Sequence, residues 1–114
     1  MIKITKPPDP GAIVVVDFPG VTGIKRRPAV IVSSPLYHRE RRDVILGIIT
    51  SQVASATAAS DYLLQDWKAA GLHRPSAFRA FLVTLPRSAI TLRLGQLSEA
   101  DWQAVRERVK VALA

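Results

Sequence analysis

The 114-residue sequence contains no cysteine. It therefore forms no disulfide, has no thiolate nucleophile and lacks the ligands of common structural zinc sites. Only two residues are histidine and nine are acidic, and neither type occurs at the spacing of a metal site or of paired catalytic carboxylates. Walker and GxSxG motifs are also missing. The sequence therefore lacks the motifs of the standard hydrolases, and we expect no metal and no cofactor.

Long apolar runs are absent as well. No stretch approaches the roughly eighteen residues of a membrane-spanning helix, and the start, MIKITKPPDPG, lacks the apolar segment of a secretory signal. The composition, 48% hydrophobic and 22% charged, is that of an ordinary globular protein. We expect one cytoplasmic domain over residues 1–114, with a proline-rich leader at 1–10.

Acidic residues are scarce relative to basic ones. The net charge is +7 and the sequence pI is about 10.6, which is typical of nucleic-acid-binding proteins. The alternative is a basic surface that serves solubility alone. The charge is also uneven, because residues 25–42 have a net charge of +5. The cations in this stretch are Lys25, Arg26, Arg27, Arg39, Arg41 and Arg42.

Short β-branched segments between glycines and prolines predict a mainly β fold. Continuous apolar runs predict strands at 12–16, 28–33 and 43–50, and the second of these begins at a proline, where a missing N–H is least harmful. Alternating apolar and polar residues predict two further strands, at 75–85 and 88–97. Glycine in the third strand suggests a bulge or a close backbone contact.

The C-terminal residues have the pattern of an amphipathic helix. Ser98 is a good N-cap, and Asp101 three residues later forms a variant of the capping box. Between the strands, 35–42 and 61–70 predict helical turns, the latter after a short strand, and 51–60 predicts a loop. A small twisted sheet with a terminal helix packed on it is typical of an SH3-like barrel.

Polar side chains mark the ends of two predicted strands. Arg27 precedes the second strand, and Thr50 ends the third, followed by Ser51. If these strands are antiparallel neighbours, both side chains emerge at one edge, where a guanidinium fork and a hydroxyl can hold a phosphate. The alternative is that Arg27 protects a sheet edge and Thr50 caps a strand. The spacing leaves both interpretations open.

Three other titratable residues are candidates for catalytic groups. Asp17 ends the first predicted strand and is a candidate base or orienting acid for an arginine, although a structural salt bridge is the favoured interpretation. His38 and His73 lie in polar, loop-like segments without an acid at a fixed spacing. We therefore predict that both histidines are surface residues.

Several motifs, taken in order, resemble the PemK/MazF family of toxins. They begin with GAIV at 11–14, FPG at 18–20 and KRRPAVIVS at 25–33. The similarity then continues through YHR at 37–39, DVIL at 43–46, ITSQ at 49–52, DW at 66–67, AGL at 70–72, PS at 75–76 and LGQLS at 94–98. Each motif alone is weak, but together they cover about residues 11–108.

The resemblance implies the toxin half of a type II toxin–antitoxin pair. Such a toxin is a homodimeric SH3-like barrel that cleaves single-stranded RNA without a metal, and its partner is an antitoxin with an acidic, partly disordered segment. The family's catalytic arginine and hydroxyl fall on Arg27 and Thr50, with Ser51 beside them. The remaining cations of residues 25–42 would then bind RNA.

Two departures from the family pattern limit what the resemblance implies. Ala12 stands where members commonly carry an acid, and the segment PGVTGIKR is compact, so the RNA cleavage motif does not carry over. Two alternatives of other classes stay open: a non-catalytic nucleic-acid-binding module, and a gyrase poison of the same fold.

Overall fold

The computed structural model describes residues 7–114, so residues 1–6 of the predicted leader lie outside the described part. Within that range it contains six strands and two α-helices. The strands are β1 (Ala12–Gly20), β2 (Gly23–Ile31), β3 (Asp43–Thr50), β4 (Tyr62–Leu63), β5 (Ala77–Pro86) and β6 (Ile90–Gln96). The helices are α1 (Pro35–Glu40) and α2 (Glu99–Ala112), and single 3₁₀ turns lie at Val53–Ser55 and Arg87–Ala89.

All six strands belong to one antiparallel sheet. Their order is β4-β5-β3-β2-β1-β6, and the sheet curls into a half-barrel that α2 accompanies. The mainly β fold with a C-terminal helix is therefore confirmed. The predicted strand at 43–50 is β3, whereas the strands predicted at 75–85 and 88–97 are shifted by one or two residues.

Pro19, Gly20 and Gly23 predict a connecting loop between the first two strands, but β1 and β2 instead form a hairpin. Both strands continue through the segment 19–23, and only Val21 and Thr22 form the turn. β2 thus begins at Gly23 rather than at Pro28, and the basic residues lie on the strand. Pro28 is tolerated in mid-strand because β3 pairs with β2 only from Ala29 onward, which leaves the earlier residues with one neighbouring strand.

The sheet buries apolar side chains on both faces. Ile13 and Val30 belong to one cluster, which includes Val105 of α2. Their neighbours Val14 and Ala29 belong to a second cluster, and successive residues of a strand point to opposite faces. This arrangement explains why the first strands are apolar at consecutive positions.

The pairing of β3 with β5 is irregular at Gly47. The pairing of β3 with β5 shifts register between Gly47 and Ile48, as a bulge does. A Cβ at Gly47 would collide with the Phe78 ring, which is fully buried. The predicted bulge and the predicted close contact are both present.

A buried carboxylate joins α2 to the segment before β5. Ser98 caps α2 by accepting a hydrogen bond from the Asp101 N–H (3.2 Å). The fully buried Asp101 carboxylate, predicted to complete a capping box, instead accepts hydrogen bonds from the Tyr62 hydroxyl (2.8 Å) and from the Gln65 and Asp66 N–H groups (3.1 and 2.8 Å). Burial, then the bond to Asp101, raises the pKa of Tyr62 to about 12, so its hydroxyl remains a donor.

His38 is buried, which corrects its prediction as a surface residue. Its Nε2 lies 2.6 Å from the Ser33 hydroxyl oxygen, and that oxygen accepts a hydrogen bond from the Ile45 N–H (3.0 Å). The His38 carbonyl accepts a hydrogen bond from Arg87. His38 thus ties α1 to β3 and to the turn before β6. Burial, followed by the charge of Arg87, lowers its pKa against a smaller opposing effect of Asp9.

The lowered pKa of His38 predicts a loss of stability in acid. Because the unfolded state takes up the proton more readily, stability is full above about pH 6.5 and falls below it, by up to about 1.4 kcal/mol per pH unit. Urea denaturation between pH 8 and pH 5 measures this slope. His38→Gln should reduce it, whereas the control His73→Gln, at an exposed residue, should not. Equal slopes in the wild type and His38→Gln would contradict the assignment.

Candidate active site

A groove opens where β2 and β3 separate. The two strands pair from Ile31 and Leu46 to Ala29 and Ile48. Beyond that point β2 has β1 as its one partner strand, and these two strands are called the ribbon below, while Thr50 pairs with Ala77 of β5. The space between the ribbon and the end of β3 belongs to a groove of about 1380 Å³.

The lining of the groove is cationic. Neither Asp nor Glu from the described residues 7–114 lines it. Such a surface attracts polyanions such as a chain of phosphates. The charged and polar side chains of the lining are Lys25, Arg26, Arg27, Arg74, Arg79, Thr22, Thr50, Ser51, Gln52, His73 and Ser76.

Arg27 and Thr50 both line this groove. If the pairing of Ala29 with Ile48 continued by two residues along each strand, Arg27 would lie across from Thr50 on the same face, but the two strands have separated by that point. The Thr50 hydroxyl oxygen accepts a hydrogen bond from the Gln52 N–H (3.1 Å), so its own proton can be donated to a ligand. Ser51 is exposed beside them. Arg27 and Thr50 thus border one groove, and their roles stay predictions.

Asp17 contacts the arginine next to the predicted catalytic one. Its carboxylate accepts a hydrogen bond from Arg26 Nε (3.1 Å) across the β1–β2 pair. The Arg26 side chain is 72% exposed, so the pair contributes little stability. Asp17 does not line the groove. It therefore orients Arg26 within the ribbon.

The basic stretch of the sequence divides into two patches. Lys25, Arg26 and Arg27 line the groove, whereas the cations at the start of β3 do not. β3 is eight residues long, so these two regions are separated by about 25 Å. The second patch, called the α1 patch below, consists of Arg39, Arg41 and Arg42.

The segment 72–76 and the strand β5 that follows it add three cationic or titratable groove residues that the sequence reasoning missed or misjudged. His73 is exposed, as predicted, but it lines the groove together with Arg74, and Arg79 follows on β5. Gly71 (φ +91°) and Gly95 let their two chain segments pack directly against each other, because a Cβ on either glycine would collide with backbone atoms of the opposite segment. This close packing fixes the position of residues 72–76. No local pattern reveals this contact, since it joins residues far apart in sequence.

Two aromatic rings also line the groove. Phe18 of the ribbon and Phe81 of β5 meet edge to face, with centroids 6.3 Å apart and an interplanar angle of 72°. Phe81 remains 63% exposed. An exposed ring beside cations suits unpaired nucleobases, which stack on aromatic faces while the cations hold the backbone.

Residues 7–114 offer neither a metal-binding cluster nor a membrane-spanning helix. This part of the chain contains no group of three or more His, Cys, Asp or Glu side chains arranged to bind a metal ion. None of its helices has the length and apolar character needed to cross a membrane.

A family model described as the PemK-like, MazF-like toxin of type II toxin–antitoxin systems matches residues 9–113. The chain therefore belongs to this family. The match confirms the resemblance seen in the motifs. No curated protein sequence matches the chain.

Solved structures share the fold at low sequence identity. An endoribonuclease in complex with its cognate antitoxin, from a mycobacterial species, superposes with a TM-score of 0.77 at 21% identity, over 94% of this chain and 95% of that one. The Mycobacterium tuberculosis toxin MazF-mt6 superposes with a TM-score of 0.73 at 20% identity, over 89% of this chain and 94% of that one. A MazE–MazF structure from Deinococcus radiodurans superposes with a TM-score of 0.71 at 20% identity, over 94% of this chain and 95% of that one.

Proposed function

We propose that this protein is the toxin of a type II toxin–antitoxin pair and cleaves single-stranded RNA in the cytoplasm. The observation that carries the proposal is a single groove that both Arg27 and Thr50 line and to which no Asp or Glu of residues 7–114 contributes. Membership of the toxin family and the likeness to structures described as endoribonucleases support it.

The reaction is attack of the substrate's own 2′-hydroxyl on the adjacent phosphorus. A 2′-O–P bond forms and the P–O5′ bond breaks, leaving a cyclic phosphate and a 5′-hydroxyl. Only RNA has the attacking group, and this intramolecular transfer requires no metal ion. Arg27 stabilises the charge that develops on the phosphoryl oxygens, and Thr50, with Ser51 beside it, donates to a non-bridging oxygen.

The rest of the groove holds the RNA chain. Lys25 and Arg26 contact phosphates along the ribbon, since both are exposed on β2 next to Arg27. Phe81 stacks on a base near the scissile phosphate. The α1 patch contacts RNA that extends beyond the groove.

Incubation of the purified protein with single-stranded RNA, in the presence of EDTA, tests the proposal. Products with a cyclic phosphate and a 5′-hydroxyl are expected. Binding without cleavage would instead identify a non-catalytic nucleic-acid module. Inhibition of gyrase without RNA cleavage would identify the gyrase poison.

Arg27 should be essential for catalysis. We expect Arg27→Ala to lower the single-turnover cleavage rate at saturating RNA by about 10² to 10³-fold, as loss of one oxyanion donor does. Arg27→Lys should recover little, because a point charge lacks the two-pronged fit. The exposed side chain makes both variants compatible with folding. Arg106→Ala, at an exposed arginine of α2 outside the groove, is the control. Wild-type rates in folded Arg27→Ala would refute the role.

RNA length should separate the two basic patches. For a short RNA that fills only the groove, Lys25→Ala should weaken binding and reduce the log–log salt slope by about 0.7, whereas Arg41→Ala and Arg42→Ala should change neither. A longer RNA, spanning the roughly 25 Å of β3, should become sensitive to all three variants. Fluorescence anisotropy with a non-cleavable 2′-deoxy substrate measures both. An α1 patch without effect on long RNA would limit RNA binding to the groove.

We propose that the protein acts as a homodimer. Large apolar side chains remain exposed on the protomer, among them Ile24, Leu36 and Leu92, and such side chains commonly mark contact surfaces. Sedimentation equilibrium determines the association state directly, and a monomer at micromolar concentration would contradict the proposal.

The antitoxin should compete with RNA for the groove. An acidic segment that is disordered until bound would match the cations of β2 and pack apolar anchors against Phe18 and Phe81. Titration of antitoxin into a complex with non-cleavable RNA should therefore displace the RNA, and Arg27→Glu should weaken both ligands. Simultaneous binding without mutual weakening would disprove a shared groove.

A further inference from the structure

The proposed reaction moves protons, but most groove residues cannot accept one. The attacking 2′-hydroxyl must lose its proton as the O–P bond forms, and a positioned base makes this step faster. Cationic side chains have no lone pair available for the purpose, and hydroxyl and amide groups are very weak bases. The lining contains no carboxylate from residues 7–114. Asp17, close in sequence, is bonded to Arg26 instead.

One side chain of the lining differs from all of these. His73 presents an imidazole, and histidine is the one ordinary side chain that changes protonation between pH 5 and pH 8. We propose that His73 is the general base that removes the 2′-hydroxyl proton, an inference that rests on the proposed ribonuclease function.

The backbone holds His73 on the side of the groove that carries Thr50. Ala77 pairs with Thr50, and His73 precedes Ala77 by four residues, which is at most about 14 Å of chain. Both sides of His73 are anchored. Leu72 is buried and its N–H donates to the Trp67 carbonyl (3.1 Å), while the Ser76 carbonyl accepts from Leu64 N–H (3.0 Å). The exposed ring therefore projects from a fixed segment.

The proton balance is complete with solvent water. Neutral His73 accepts the proton from the 2′-oxygen as that oxygen bonds to phosphorus, and the 5′-oxygen departs and takes a proton from water. Arg27 and Thr50 stabilise the phosphoryl oxygens meanwhile. His73 then releases its proton to water, so the protein returns to its starting state.

His73→Gln tests the role because glutamine keeps polarity and removes the base. At saturating RNA we expect a single-turnover rate about 10² to 10⁴-fold below that of the wild type, with unchanged RNA affinity. The wild-type rate should fall as acid protonates the base, and the variant should lose this dependence on pH. Lys68→Gln, at an exposed residue nearby that does not line the groove, is the control and should behave as wild type.

A substrate with sulfur in place of the bridging 5′-oxygen distinguishes a general-base role of His73 from a general-acid role. Sulfur leaves without protonation, so it would restore a variant that lacks the general acid. For a general base, the deficit of His73→Gln should persist on this substrate. Recovery there, or a variant rate within about threefold of wild type on ordinary RNA, overturns the inference. A wild-type protein that does not cleave RNA at all would instead refute the proposed ribonuclease function.

Discussion

The groove depends on the shortness of one strand pairing. β2 and β3 are joined only from Ala29 to Ile31, although each strand is longer than this contact. Had the pairing continued, Thr50 would have Arg27 as a ladder partner and the space between them would be closed. Instead β2 stays with β1, and β3 stays with β5. The same separation opens the groove and leaves Arg27 and Thr50 on its lining.

Pairing with β1 supports the cations on the free part of β2. Phe18 lies opposite Lys25 and Asp17 opposite Arg26 in the β1–β2 register, so each has a partner that limits its position. A single strand bearing adjacent positive charges would have no such support. The ribbon thus holds like charges close together in solvent, where screening keeps their repulsion small, and a bound polyanion would relieve it.

Local patterns predicted the parts of the fold that depend on local interactions. β3 and the cap of α2 at Ser98 agree with the sequence reasoning because apolar runs and N-caps act within a few residues. The hairpin at 19–23 was missed because glycine and proline there suggest a loop, whereas cross-strand pairing continues both strands. The presence of Arg27 and Thr50 on one groove was anticipated only on the condition that β2 and β3 are neighbours, since strand order is not a local property. His73 could not be placed, because the contact of Gly71 with β6 positions it.

The C-terminal helix contributes to the site although it lies outside the groove. Asp101 binds Tyr62, Gln65 and Asp66, and Arg108 adds a hydrogen bond to the Asp61 carbonyl (2.9 Å) and lies over the Tyr62 ring. These contacts fix the start of the segment that ends at the groove as residues 72–76. The Asp101 carboxylate can serve this purpose because it is fully buried and does not line the groove. It therefore supports the wall of the groove from behind, and no Asp or Glu of residues 7–114 lies on the lining itself.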